Sequence, residues 1–269
     1  MADARHRLLT IVEGVDAHVR HLKEEGVREL PVAPPTLAAL SEAKGDDHSA
    51  MKRASKAAPP TPETPIAFSL KPTSPTSTTL KSIADRVAAC RLCGLSATRT
   101  NTVPGQGHES PEIMFVGEGP GADEDAQGLA FVGRAGKLLT QMIEAMGYQR
   151  EEVWIGNIVK CRPPNNRKPT MDEMNACLPY LKEQIAFLKP KVIVCLGATA
   201  VQGLLNDMTM ITKLRGQWRT FEGIDTMPTF HPAYLLRNPP AKREVWTDLK
   251  AVLEKLGRPV PESAKKRKG

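Results

Sequence analysis

The chain has no apolar run long enough to span a bilayer, and its N-terminus, MADARHRLL, lacks the hydrophobic stretch of a secretory signal. These absences argue against membrane and secreted classes and set the expectation of a reducing, cytoplasmic environment. Disulfides are disfavoured there, and free thiols are available as metal ligands. A large excess of one charge is also missing. The formal net charge is +7, and Arg258, Lys265, Lys266, Arg267 and Lys268 against Glu262 place +4 of it in residues 258–269. The remainder is compatible with a polyanionic partner but selects none. What the chain does have is 41% hydrophobic residues in 269, enough to bury one sizeable core and still carry appendages.

The appendages come first. Leu8, Ile11, Val12, Val15, Val19 and Leu22 recur at helical spacing, with Gly26 as a stop, so residues 1–28 are expected to carry a short amphipathic helix. Residues 29–79 then shift to Pro, Ala, Ser and Thr. APPTPETP and KPTSPTSTT show no periodicity and read as a disordered linker that buries too little apolar surface to offset its ordering entropy.

A compact domain is expected over 80–257, followed by a basic tail at 258–269. It opens with a helical stretch at 81–89 that runs into Cys90. Short apolar strands then alternate with helices: IMFVG (113–117), a helix at 135–146, VWIGNIV (153–159), a helix to Leu188, VIVCLG (192–197), a helix near 199–205, a fourth strand at 227–230 and a helix at 242–256. Thr170 and Glu173 form a capping-box pattern at the start of the 188 helix, where Pro179 predicts a kink. This alternation predicts a parallel α/β sheet with helices on both faces and ligands at the carboxyl ends of the strands.

Of five cysteines, Cys90 and Cys93 form a C-x-x-C pair, and Cys161 and Cys177 follow some seventy residues later. Together they fit one Cys-ligated metal site that spans the fold. C-x-x-C alone is shared by zinc knuckles, redox pairs and iron–sulfur sites. Zinc and a [4Fe–4S] cluster both accept four thiolates, and spacing by itself leans towards zinc. Cys195, inside VIVCLG, reads as a buried strand residue.

The loops carry the remaining polar pattern. Gly117, Gly119 and Ala122 of GEGPGADED loosely match G-x-G-x-x-A, but Glu118, Asp123, Glu124 and Asp125 would repel a pyrophosphate. GRAGKLL fails the P-loop pattern because no Ser or Thr follows Lys137. The better use of the first loop is a rigid turn at Gly119, Pro120 and Gly121, with carboxylates beside a cation or an activated water; a solvated acidic turn is the alternative. Asn157, in GNIVKCRPPNNRKP, offers a donor and an acceptor, as reading a nucleobase edge requires. Arg162, Arg167 and Lys168 suit phosphate contacts or a solvated loop. In FHPAYLLR, His231 is a candidate donor to a developing anion, and Tyr234, Leu235 and Leu236 beside Arg237 suit prising bases apart.

Taken in order, GEGPGADED, GLAFVGRAGKLL, GNIVKCRPPNNRKPT, the four cysteines and HPAYLLR resemble the family 4, iron–sulfur uracil-DNA glycosylases over roughly residues 80–257. The resemblance implies a three-layer α/β/α fold around a four-stranded parallel sheet. It also implies a [4Fe–4S] cluster on Cys90, Cys93, Cys161 and Cys177, which turns the metal expectation away from zinc. By the same resemblance Phe131 stacks on a flipped uracil, Asn157 reads its edge, and His231 stabilises the departing anion. Glu118, with Glu124 as second candidate, faces the sugar or a water, Gly119 and Gly121 line the pocket, and Arg162, Arg167 and Tyr234 to Arg237 contact DNA. The implied activity is hydrolysis of uracil from DNA to leave an abasic site by a monomeric enzyme, nucleoid-associated in a prokaryotic cell. A replication or repair protein is the kind of partner expected for the N-terminal helix. The competing reading is a non-catalytic DNA-binding or polymerase-associated module.

Overall fold

A computed structural model describes residues 79–261. The expected N-terminal helix, the linker as far as residue 78 and residues 262–269 of the expected tail lie outside the described residues.

The first helix, α1 (Leu80–Ala89), starts at Thr79, whose hydroxyl accepts from the Ser82 amide at 3.1 Å. It delivers Cys90 at its end. Strand β1 (Gln106–Gly107) precedes the all-buried β2 (Ile113–Gly117). Helices α2 (Ala122–Gln127) and α3 (Arg134–Ala145) lead to β3 (Trp154–Asn157), and α4 (Met171–Leu188) leads to β4 (Val192–Leu196). After α5 (Ala198–Leu205) and the single turn α6 (Ile211–Leu214), the hairpin of β5 (Arg219–Phe221) and β6 (Ile224–Thr229) follows. The short α7 (Pro232–Arg237) and α8 (Lys242–Lys255) close the domain.

The expected four-stranded parallel sheet is corrected to a mixed sheet of six strands, in the order β1-β3-β2-β4-β6-β5. The inner strands β3, β2, β4 and β6 do run parallel to one another, with β1 and β5 added antiparallel at the edges. Two-residue β1 and three-residue β5 are too short to show a period. The β5–β6 connection carries its own cue, since Glu222 and Gly223 both have positive φ, +48° and +86°, as a two-residue hairpin turn demands.

Alternation along β2 separates two cores. Ile113 and Phe115 pack with Leu139 and Ile143 of α3 and Leu249 and Val252 of α8. Met114 and Val116 pack with Met174 and Leu181 of α4 and Val201 and Leu204 of α5. Residues one apart in a strand face opposite ways, so each face of the sheet needs its own helices and a three-layer architecture results. At the start of α4 the capping box forms as its residues predict: Thr170 Oγ1 accepts from Glu173 N at 3.3 Å, and Glu173 accepts from Thr170 N at 2.8 Å. The helix continues through Pro179 to Leu188.

Other differences are local. The acidic loop after β2 winds into α2 from Ala122, because Asp123, Glu124 and Asp125 fall in a first turn where the helix dipole favours anions, and Gly128 in the left-handed region ends it. β3 stops at Asn157 instead of continuing to 159, and β6 begins at Ile224, earlier than 227. Arg258 is part of the folded domain: its guanidinium reaches Glu112 at 2.6 Å and lies over the Tyr148 ring. Lys191 above all, with Arg258 and Tyr148, holds the Glu112 carboxyl down to about 2.

Candidate active site

The carboxyl ends of the inner strands release their chains on one side of the sheet. There Glu118 follows β2, Asn157 ends β3, Thr199 opens α5 after β4, and His231 follows β6. A cleft of about 230 Å³ is lined by Glu118, Gly119, Gly121, Glu124, Phe131, Asn157 and His231. Residues far apart in sequence meet here because parallel strands all point their ends the same way.

Asn157 is 1% exposed, and its Oδ1 has no hydrogen-bond partner. Among the described residues two other buried side-chain atoms share that state, Gln106 Oε1 and Trp154 Nε1, and neither lines the cleft. Leaving a buried acceptor unpaired costs about 1–3 kcal/mol, so an orphan oxygen on a residue that lines a cleft marks a place where a ligand donor belongs.

Phe131 forms the adjacent wall. Its φ is +53°, a strained value for an aromatic residue. Gly136 permits it, since any side chain there would collide with the Phe131 backbone. The ring lies against Gly117 and 5.7 Å from the His231 ring, tilted by 32°. A Cβ on Gly117 would fall 2.5 Å from both Asn157 Oδ1 and Phe131 Cζ. Gly117→Ala is therefore expected to displace the ring or the amide and to lower kcat/KM for the natural substrate about tenfold, with a small effect on Tm, since sub-ångström misplacement is costly at a reacting centre. Unchanged kinetics in the folded variant would show that the floor of the cleft is not used.

His231 caps α7, its Nδ1 accepting from Ala233 N at 3.1 Å. Burial, reinforced by the Arg237 guanidinium, pushes its pKa down to about 4. The ring is thus neutral at pH 7, and with Nδ1 occupied as an acceptor its proton sits on Nε2, as a donor. Glu118 is half-buried, and its Oε2 accepts from Thr199 Oγ1 at 2.5 Å. Sequence reasoning missed Thr199. The signal was there, in VIVCLG followed at once by a helical stretch: β4 ends at Leu196, and Gly197 (φ +89°) turns the chain directly into α5.

Glu124 lines the cleft but is committed elsewhere. Its Oε1 accepts from Val132 N and Gly133 N, both at 2.9 Å, and its Oε2 from Gly121 N at 3.0 Å. It clamps the turn after β2 to the strained segment that carries Phe131. Arg167 likewise spends its guanidinium on Glu173, at 2.6 and 2.8 Å, and Arg162 bonds Asn166 at 2.8 Å. The wedge reading is corrected at one position: Leu235 is 1% exposed and belongs to the core, whereas Tyr234 and Leu236 are exposed, as is Arg237. In a six-residue helix successive side chains point about 100° apart, so three consecutive residues cannot share one face.

On the opposite helical layer, Cys90, Cys93, Cys161 and Cys177 all line one small cavity. Arg99 donates to Cys161 Sγ at 3.1 Å, and Lys160 N to Cys177 Sγ at 3.2 Å, so cationic and amide donors already point at sulfur. Four thiolates are a donor set that both a zinc ion and a [4Fe–4S] cluster accept. A mononuclear zinc site would draw its sulfurs to about 2.3 Å from one ion. A cluster places each thiolate on its own iron. The donor set fits a cluster. Cys195 is fully buried in β4, and burial pushes its thiol up to about 12, consistent with an inert core residue.

Known proteins are similar to this chain over most of the described residues. The family model described as Uracil DNA glycosylase superfamily matches residues 104–250. A protein named Type-4 uracil-DNA glycosylase from Archaeoglobus fulgidus is 43% identical over 190 residues, covering 68% of this chain and 96% of its own. Proteins of the same name from Sulfurisphaera tokodaii and Thermotoga maritima are 48% and 50% identical, covering 65% and 58% of this chain and 84% and 82% of theirs. The chain belongs to the uracil-DNA glycosylase superfamily, on its type-4 branch.

Proposed function

We infer that this protein is a uracil-DNA glycosylase, a hydrolase of DNA repair. The observation that carries the reading is the unpaired, buried Oδ1 of Asn157 in a cleft walled by Phe131, with a neutral histidine and a carboxylate among its other walls. Uracil turned out of the helix stacks on Phe131. Its N3–H donates to Asn157 Oδ1 and its O4 accepts from Nδ2, whereas cytosine would bring an amino group against the amide donors.

Cleavage breaks the bond between the sugar C1′ and uracil N1, and the electron pair leaves with the base. Negative charge grows on O2, where the His231 Nε2–H donates without a proton transfer. Positive charge grows on the sugar, and Glu118, held by Thr199, faces it and orients the water that adds to C1′. The water's oxygen stays on C1′, its proton passes to Glu118 and on to the departing base, and the products are uracil and an abasic site. Glu124 is a support for the Phe131 segment in this scheme, not a second catalytic acid. Tyr234 and Leu236 form the wedge, with Arg237 beside them on the phosphate backbone. Cys90, Cys93, Cys161 and Cys177 would hold a [4Fe–4S] cluster, which supplies a structural cross-link between segments, since this hydrolysis moves no electrons.

Release of free uracil from a defined single-stranded oligonucleotide tests the reading. Failure of the iron-loaded protein to release any base would favour the non-catalytic DNA-binding module. Asn157→Asp is expected to lower uracil excision by up to about 10²-fold, the value of one bidentate base contact, and to raise excision of cytosine, whose amino group a carboxylate accepts. A variant with unchanged preference would remove Asn157 from base reading.

A further inference from the structure

Lys160 is buried to 0% exposure. A charged ammonium so deep must have its donors satisfied and its charge balanced. Nζ donates to the carbonyl oxygen of Asn157 at 2.9 Å and to Gln184 Oε1 at 2.7 Å, and Gln184 in turn donates to the Pro104 carbonyl at 2.7 Å. Among the described residues no carboxylate reaches it. The groups at hand that become anionic on binding a metal are the cysteines: the Lys160 amide points at Cys177 Sγ, and the next residue is Cys161. One residue therefore touches the four-cysteine site through its backbone and the last residue of β3 through its side chain. The carbonyl it grips belongs to Asn157, whose amide faces the cleft. A charge-assisted bond to that carbonyl holds the peptide plane and with it the direction in which the side chain leaves the strand.

We propose that Lys160 is a positioning residue that links the four-cysteine site to the base-facing amide of Asn157. The cleft and the cysteine site are then coupled, because whatever displaces the cysteines moves the ammonium that orients the amide. The inference rests on the reading of Asn157 as the residue that meets the base.

The test uses the full chain purified without air, in Lys160→Met, which keeps length and removes charge, and in Gln184→Met, which removes the second Nζ acceptor without touching a cysteine or Asn157. Iron per chain, kcat and KM on a uracil-containing single strand, and the rise in Tm caused by free uracil are measured for each. Iron-loaded Lys160→Met is expected to lose about tenfold in kcat/KM and most of the uracil-dependent rise in Tm, with roughly a third of that effect on a logarithmic scale in Gln184→Met. A merely structural lysine would lower the starting Tm and leave the response to uracil intact. The proposal is overturned if both iron-loaded variants respond to uracil and turn over as wild type. It is also overturned if Lys160→Met sheds its iron while Gln184→Met behaves as wild type, because the lysine would then serve the cysteines alone. Asn157→Ala separates the two claims: if it too keeps full uracil binding, the base-reading assignment fails, and if it alone loses binding, only the link fails.

Discussion

Replacing His231 by alanine is expected to slow the single-turnover release of uracil by about 10²–10³-fold, or ~2.7–4 kcal/mol, the usual cost of removing one preorganised donor to a developing anion. DNA affinity should change little, because the bond to O2 strengthens mainly as charge develops. A matching pH signature is expected. Burial, with Arg237, sets the His231 pKa at about 4 against an ordinary 6.5, so from about pH 5 to 8 this residue should produce no inflection in the chemical step. Its folded pKa lies below the unfolded one, so its contribution to stability is complete above about pH 6.5 and is lost as the pH falls through about 4. An inflection near 6.5 that vanishes in His231→Ala would show that the imidazolium, not the neutral ring, is the donor.

Replacing Cys177 by serine should have the other large effect, on the fold and on activity together. Cys177 sits in α4, its Sγ accepts the Lys160 amide, and it lines a common cavity with Cys90 and Cys93 from the end of α1 and Cys161 after β3. A metal centre that joins these segments contributes directly to folding. Wild type is expected to carry roughly four irons per chain with the broad visible absorbance of a cluster, and Cys177→Ser to lose most of both. At about 2–4 °C per kcal/mol for a domain of this size, losing several kcal/mol of cross-link should lower Tm on the order of 10 °C. Stoichiometric zinc in protein from iron-replete cells, or a serine variant that keeps its Tm, would overturn the cluster assignment.

Much of the layer architecture was legible because it depends on near-neighbour pattern. IMFVG and VIVCLG are continuous apolar runs of strand length, and both are fully buried in the parallel part of the sheet. Thr170 and Glu173 announced the start of α4, and that cap forms. The edge strands β1 and β5 were not legible, since strands of two and three residues are defined by the partner they pair with and not by any period of their own. Helix α2 could have been read from its acids and from Gly128, but the glycine-rich turn before it drew attention to the loop instead.

At the cleft the division is sharper. Glu118, Asn157 and His231 could be singled out one by one from residue type and order, because the chemistry each supplies is written in its functional group, whereas Phe131 came only through the family resemblance. Residue order alone thus supplies the inventory: which donors, acceptors and thiols the chain owns, and which of its longer segments are strands or helices. Tertiary structure alone decided how they are spent. Asn157 Oδ1 is left unpaired while Glu124, its near neighbour at the cleft, is consumed by three backbone amides. Leu235 turns into the core between two exposed neighbours. Thr199 reaches Glu118 from 81 residues away, and a lysine bridges the cysteines to the strand that bears Asn157. The physical reason is that composition and period reflect the average environment of a segment, whereas a hydrogen bond is a property of two atoms, and only folding brings those atoms within 3 Å of each other.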